Sequence, residues 1–141
     1  MTGVQTCALP ILAGASALFL DATEALLRWQ CATRPGALPP CDAVLLRQEM
    51  ALFPAWYIER HLGIALSPDQ AASLERLFTL LIASAAAQPA VFVHRDYMPR
   101  NLMLSDPNPG VLDFQDAVIG PITYDIVSDR KSTRLNSSHR L

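Results

Sequence analysis

The chain has 141 residues, 51% of them hydrophobic and 17% charged, with a mean hydropathy of +0.23. That is too apolar for a disordered chain and enough to bury a sizeable core. A formal net charge of -2 offers no basic surface, so no nucleic-acid partner is expected.

In chain order, the two ends look foreign to the middle. MTGVQTCALPI and DRKSTRLNSSHRL resemble translated sequencing-adapter sequence, and the second reads alternatively as a natural disordered tail. Residues 1–11 and 129–141 are therefore set aside, and 12–128 are taken as the folding unit. The tail holds Arg130, Lys131, Arg134 and Arg140 against Asp129 alone, which leaves seven Arg and twelve Asp/Glu, a net of -5, in residues 1–128. Lys131 is the only lysine.

Ser16 to Gln30 places Leu18, Ala22, Ala25, Leu26 and Trp29 at helical spacing. TRPGALPP (33–40) is a loop by its Pro and Gly content. Asp42 can N-cap a helix over 43–53. Pro54 then kinks the chain or opens a second helix that ends near Gly63 as its C′ residue. Ser67, Pro68 and Gln70 form a capping box, and Leu74, Leu77, Phe78, Leu81, Ile82 and Ala85 follow as one apolar stripe. Gln88-Pro89 stops that helix. Beyond it the period changes to three short β-prone runs, 91–93, 101–104 and 111–114, separated by polar loops. Chemistry is expected on those loops, held by the helical scaffold.

Cys7, Cys31 and Cys41 show neither CxxC nor a companion histidine spacing, so neither a disulfide framework nor a zinc site is indicated. The apolar run from Cys7 to Leu20 is too short to span a bilayer and lacks a cationic leader. The run from Leu77 to Val93 is broken by Ser84, Gln88 and Pro89. The expectation is a cytoplasmic protein with no membrane partner.

HRDYMPRNLML followed by VLDF carries the chemistry. His94, Arg95, Asp96 and Asn101 match H-R-D-x-x-x-x-N, and Asp113-Phe114 follows twelve residues after the Asn. Phosphoryl transfer needs charge neutralisation and alignment more than covalent help. Asp113 (carboxylate) and Asn101 (amide oxygen) are hard ligands suited to Mg2+. Asp96 can orient an acceptor hydroxyl and take its proton. An unpaired Asp113 inside the apolar strand VLDF would be costly to bury, which argues for a metal partner. His94 reads as a buried hydrogen-bonding strut rather than an acid or base. Arg95 is either a loop brace or a partner for an acidic group. His61 reads as a capping or surface residue.

On these residues the chain resembles the aminoglycoside-phosphotransferase and choline-kinase superfamily, which shares the protein-kinase-like fold. Within it the resemblance is closest to bacterial kinases of the cell-wall amino sugars N-acetylmuramate and N-acetylglucosamine. It is carried by LLRQEMALFPAWYIERHLG (45–63), QPAVFVHRDYMPRNLML (88–104) and GVLDFQDAVIGPITYDIVS (110–128). The resemblance implies an α+β fold, the central part of a kinase-like C-terminal lobe, mainly helical with short strands around the catalytic loop. It implies ATP and Mg2+ as cofactors, a small sugar as substrate, phosphorylation of its anomeric hydroxyl in peptidoglycan recycling, and a monomer at full length. Asp96 would be the catalytic base, Asn101 and Asp113 the magnesium ligands, with His94, Arg95 and Asp125 as structural support. Asp116 is either a residue close behind the metal ligands or a surface carboxylate. Gln115 stands where many kinases have glycine. No glycine-rich phosphate motif is formed by Gly3, Gly14, Gly36, Gly63, Gly110 and Gly120, and no strand lysine is found. The expectation is a fragment of such a kinase, inactive alone. The alternatives are a kinase of aminoglycosides or other small alcohols, and a non-catalytic kinase-like binding module.

Overall fold

The computed structural model describes residues 15–128. The adapter-like segments, with Cys7 and Lys131, lie outside the described residues. Helix α1 is Ala15–Cys31, and it buries Ala22, Leu26 and Gln30. The first two lie on the expected stripe. Gln30 is buried because its side-chain N–H donates to the Ile122 carbonyl at 3.0 Å, which satisfies a polar group that burial would otherwise penalise.

Helix α2 is Ala43–Leu52, and the Asp42 carboxylate accepts from the Leu45 N–H at 2.9 Å as its N-cap. The chain does not break at Pro54. It continues as a π-helical stretch, Phe53–His61. Pro54 has no N–H to keep up the i−4 ladder, and the closing bonds are wider, with the Leu62 N–H donating to the Tyr57 carbonyl at 3.0 Å and Ile64 to Ile58 at 3.1 Å. Gly63, at φ +66, ends the stretch. Phe53, Tyr57 and His61 stack in an exposed ladder with ring centroids 5.6 and 5.5 Å apart, and Arg60 lies 4.1 Å over Trp56. Helix α3 is Pro68–Ala86, with both bonds of the Ser67–Gln70 capping box formed. Its apolar stripe is only narrowly covered: Phe78 and Ile82 are buried, whereas Leu77 and Leu81 are exposed.

Four strands form where three were expected. β1 (Ala90–Val93) pairs antiparallel with β4 (Val118–Pro121), Val93 facing Val118. β2 (Leu102–Met103) pairs antiparallel with β3 (Gly110–Val111). The third run is thus shorter than 111–114, and β4 lies beyond the three expected runs. Pro121 closes β4 at its end, where a missing donor is tolerated. Gly120 is required by packing, since a Cβ there would sit 2.8 Å from the Cys41 Cβ. Residues 39–41 press against that point because Ile119 donates to Pro39 O (2.8 Å) and Cys41 donates to Ile119 O (2.7 Å).

A small cluster of Ala22, Leu26 and Tyr97, with Leu102 and Val111 against it, joins α1 to the β2–β3 hairpin. The Tyr97 OH donates to the Ala22 carbonyl at 2.6 Å. Thr33, just beyond α1, accepts from the Phe92 N–H at 2.7 Å. The two strand pairs and α1 therefore share one seam, and the 94–101 loop leaves β1 along it. Among the described residues no helix is long and apolar enough to cross a membrane.

Candidate active site

The loop from His94 to Asn101 is fixed from three directions. From behind, Asp125 is fully buried, and its two carboxylate oxygens accept from the backbone N–H groups of His94 (2.8 Å) and Arg95 (2.9 Å). Burial raises the Asp125 carboxyl above the ordinary carboxylate range, although those two N–H donors pull it back. From the side, the His94 ring is buried, and its Nε2 donates to the Leu112 carbonyl at 2.9 Å. A carbonyl oxygen only accepts, so the proton sits on Nε2. That bond ties the loop to the chain leaving β3. Trp29 and Tyr97 pack around the ring, with centroids 6.3 and 5.7 Å away.

From within, Pro99–Asn101 forms one 3-10 turn, with Pro at its first position supplying a helical φ. The turn buries Asn101, whose side-chain N–H2 donates to the Asp96 carbonyl at 2.9 Å. With Nδ2 committed there, Oδ1 is the end of the amide left to face elsewhere. Asp96 itself is half-buried. Among the described residues, the exposed Arg100 is the cation paired with it, 4.0 Å from Oδ1.

Asp113 lies near Asn101 through the hairpin: the Leu112 N–H donates to the Asn101 carbonyl at 2.9 Å, one residue before Asp113. The expectation that VLDF buries this carboxylate is overturned. The strand ends at Val111, Asp113 is exposed, and its φ is +63. A left-handed non-glycine residue is uncommon, and Asp tolerates the conformation better than most. The Gln115 side chain donates to Asp113 Oδ1 at 2.8 Å, leaving Oδ2 without a hydrogen-bond partner among the described residues. Asp116 is exposed on the following turn.

Magnesium is commonly held by one or two side-chain oxygens plus substrate phosphates and water. Asn101 Oδ1 and Asp113 Oδ2 fit that requirement in type and in availability. Among the described residues no group of three or more His, Cys, Asp or Glu gathers as an all-protein metal cage. Cys31 and Cys41 are free thiols.

Arg95 has φ +75 and reaches away from the loop to Glu49 on α2, with which it forms an ion pair. The second Glu49 oxygen accepts from the Tyr124 OH at 2.8 Å. Sequence reasoning singled out neither Glu49 nor Tyr124. The available signal was a carboxylate three residues after Leu46, on the inward face of α2. His61 ends the π-helical stretch, exposed.

The arrangement can be set beside known proteins. The chain is 59% identical over 112 residues to an N-acetylmuramate/N-acetylglucosamine kinase of Pseudomonas putida, covering 79% of this chain and 33% of that protein. It is 56% identical over 112 residues to the protein of the same name from Pseudomonas aeruginosa, with the same coverage. The Neisseria meningitidis serogroup B protein of that name is 46% identical over 112 residues, covering 79% of this chain and 34% of its own length. The chain thus spans about a third of the length of the curated relatives it matches. The family model described as "Phosphotransferase enzyme family" matches residues 12–128, the whole folding unit expected from the sequence and all of the loop geometry described above, and the chain belongs to that family.

Proposed function

We propose that the protein carrying this segment is an ATP- and magnesium-dependent phosphotransferase acting on the anomeric hydroxyl of N-acetylmuramate or N-acetylglucosamine. The observation that carries this reading is one junction. Asn101 bonds the Asp96 backbone through its side chain and the Leu112 N–H through its own carbonyl, so base, amide and Asp113 share one rigid seam.

In this reading Asp96 accepts a hydrogen bond from the acceptor hydroxyl and takes its proton as the oxygen attacks the γ-phosphorus. The bond to the leaving diphosphate breaks in the same displacement. Half-burial of Asp96 leaves its carboxylate reachable by a polyol. Asn101 Oδ1 and the Asp113 carboxylate would hold the magnesium, which when bound neutralises charge on the phosphate oxygens. His94, Asp125 and Arg95 act on the backbone that aims Asp96 and do not touch substrate. The acceptor class rests on the 46–59% identity to three kinases named for these sugars. Peptidoglycan recycling is the context in which such a product would be used. The 141 residues contain no glycine-rich phosphate motif and no lysine other than Lys131, so this chain alone is expected to be inactive.

The test is to express the complete protein and follow ATP-dependent phosphorylation of N-acetylmuramate and N-acetylglucosamine. Turnover abolished by Asp96→Asn is the expected result. No turnover of either sugar, with activity on another alcohol, would overturn the acceptor assignment.

A further inference from the structure

We propose that Glu49, on a helix far from the motif in sequence, is a positioning residue of the phosphotransfer site, holding Arg95 and through it the direction of Asp96. The inference deepens the proposed phosphotransferase reading and rests on it for its kinetic arm.

Arg95 is a long-side-chain residue in the left-handed region, at φ +75. Such a conformation persists only where the surroundings over-determine it. The backbone supplies two anchors, since the Arg95 N–H donates to Asp125 Oδ1 at 2.9 Å and its carbonyl accepts from Ser128 Oγ at 3.1 Å. Both come from one short stretch, the helical residues 124–128. The guanidinium supplies the third anchor, on the opposite element, by pairing with Glu49. Tyr124, from that same stretch, donates to the other Glu49 oxygen at 2.8 Å. Burial, then the bond to Glu49, pushes the Tyr124 phenol above its ordinary range, so its OH remains a donor.

The loop residue is thus clamped between α2 and residues 124–128, and Glu49 closes the clamp. The side chains of Arg95 and Glu49 are only 26% and 27% exposed, so their attraction is less screened than that of a surface pair. Asp96 is the next residue along the chain. Its carboxylate follows the Arg95 backbone, and a small misplacement of a catalytic group has a large rate effect.

The experiment uses the complete protein with Glu49→Gln, Glu49→Asp and Tyr124→Phe, the last retaining the ion pair. Kinetics are measured with ATP and N-acetylmuramate, and amide hydrogen exchange is read over residues 94–101 and 68–86. Glu49→Gln should lower kcat about tenfold, with both KM values within about twofold of wild type. Glu49→Asp should recover part of kcat, and Tyr124→Phe should show a smaller loss. Exchange over 94–101 should quicken in Glu49→Gln, while 68–86 is unchanged.

A Glu49→Gln protein with wild-type kcat and wild-type exchange over 94–101 overturns the inference. So does one that loses only thermal stability, or raises KM at constant kcat. If Glu49→Gln does not fold, Tyr124→Phe decides by the same two readouts. If the wild-type protein phosphorylates neither sugar, the functional reading fails and exchange over 94–101 alone decides the positioning role.

Discussion

Replacing Asp125 by Asn is the most direct probe of how the loop is held, because it changes no volume. The carboxylate is fully buried, and its two oxygens accept from His94 N–H and Arg95 N–H at 2.8 and 2.9 Å. An Asn can accept from only one of them and turns an N–H2 toward the other. One charge-assisted bond is lost, a strength of about 1.5–3 kcal/mol, and one buried N–H is left without an acceptor at about 1–3 kcal/mol. Removing a charge that burial disfavours returns part of this, since burial holds the carboxyl above its ordinary range. The expected net loss is about 3 kcal/mol, against about 5–15 kcal/mol for a whole domain. Urea unfolding of the complete protein measures it. Ser128→Ala is the control, because it deletes a single neutral bond at 3.1 Å and should cost about 1 kcal/mol or less. If Asp125→Asn shifts the midpoint no more than Ser128→Ala does, the carboxylate does not hold the loop and the bracing argument is wrong.

Further outcomes follow from individual contacts. Gly120→Ala should destabilise by about 1–3 kcal/mol through overpacking, because the new Cβ would lie 2.8 Å from the Cys41 Cβ. Cys41→Gly should relieve this in the double variant and Cys41→Ala should not, as thermal melts would show. Burial pushes the Tyr97 phenol up from 10.0 to about 12. Its folded pKa is raised, so its stabilising contribution is complete below pH 10 and is lost as pH climbs through about 12. Two pH units correspond to at most about 2.7 kcal/mol, and unfolding midpoints of Tyr97→Phe should lose that alkaline slope. Calorimetry of this 141-residue chain with magnesium and ATP should detect no tight binding, since it offers no lysine before Lys131 to meet the phosphates. Micromolar affinity would contradict that account. A high-resolution crystal structure should reveal a buried water between Trp29 Nε1 and His94 Nδ1, which are both buried and have no partner among the described residues. One can only donate, and the other is left to accept.

The sequence made the helices legible because their signals are local. Asp42, the Ser67–Gln70 box and Gly63 each act within one turn of the residues they cap, and all three mark real ends. The resemblance to the phosphotransferase superfamily held for the same reason, being carried by short contiguous motifs. What was missed depends on distant partners. β4 exists because β1 and residues 39–41 flank it on both sides, and nothing within VIGP announces that. The widening at Phe53–His61 follows from Pro54, yet a proline equally permits a break, and local chemistry does not choose. The pattern VLDF reads as a buried strand, but the chain turns left-handed at Asp113 and exposes it.

The same division runs through the candidate site and explains why a motif can be read without its geometry. His94, Asp96 and Asn101 stand close together in the sequence because one short loop presents them. Apart from Leu112, 18 residues from His94, the groups that hold the loop come from 30 or more residues away: Asp125 is 31 residues from His94, Glu49 is 46 from Arg95, and Ala22 is 75 from Tyr97. Ala22 contributes one backbone carbonyl, while Asp125 and Glu49 each use both carboxylate oxygens; none of these contacts leaves a local pattern in the sequence. Asp125 was recognisable only through resemblance, and Glu49 only as a carboxylate on the face that buries Leu46. A site of this kind is specified twice, by a compact chemical pattern and by scattered anchors. Substitutions at the anchors should therefore slow the reaction while leaving the motif intact.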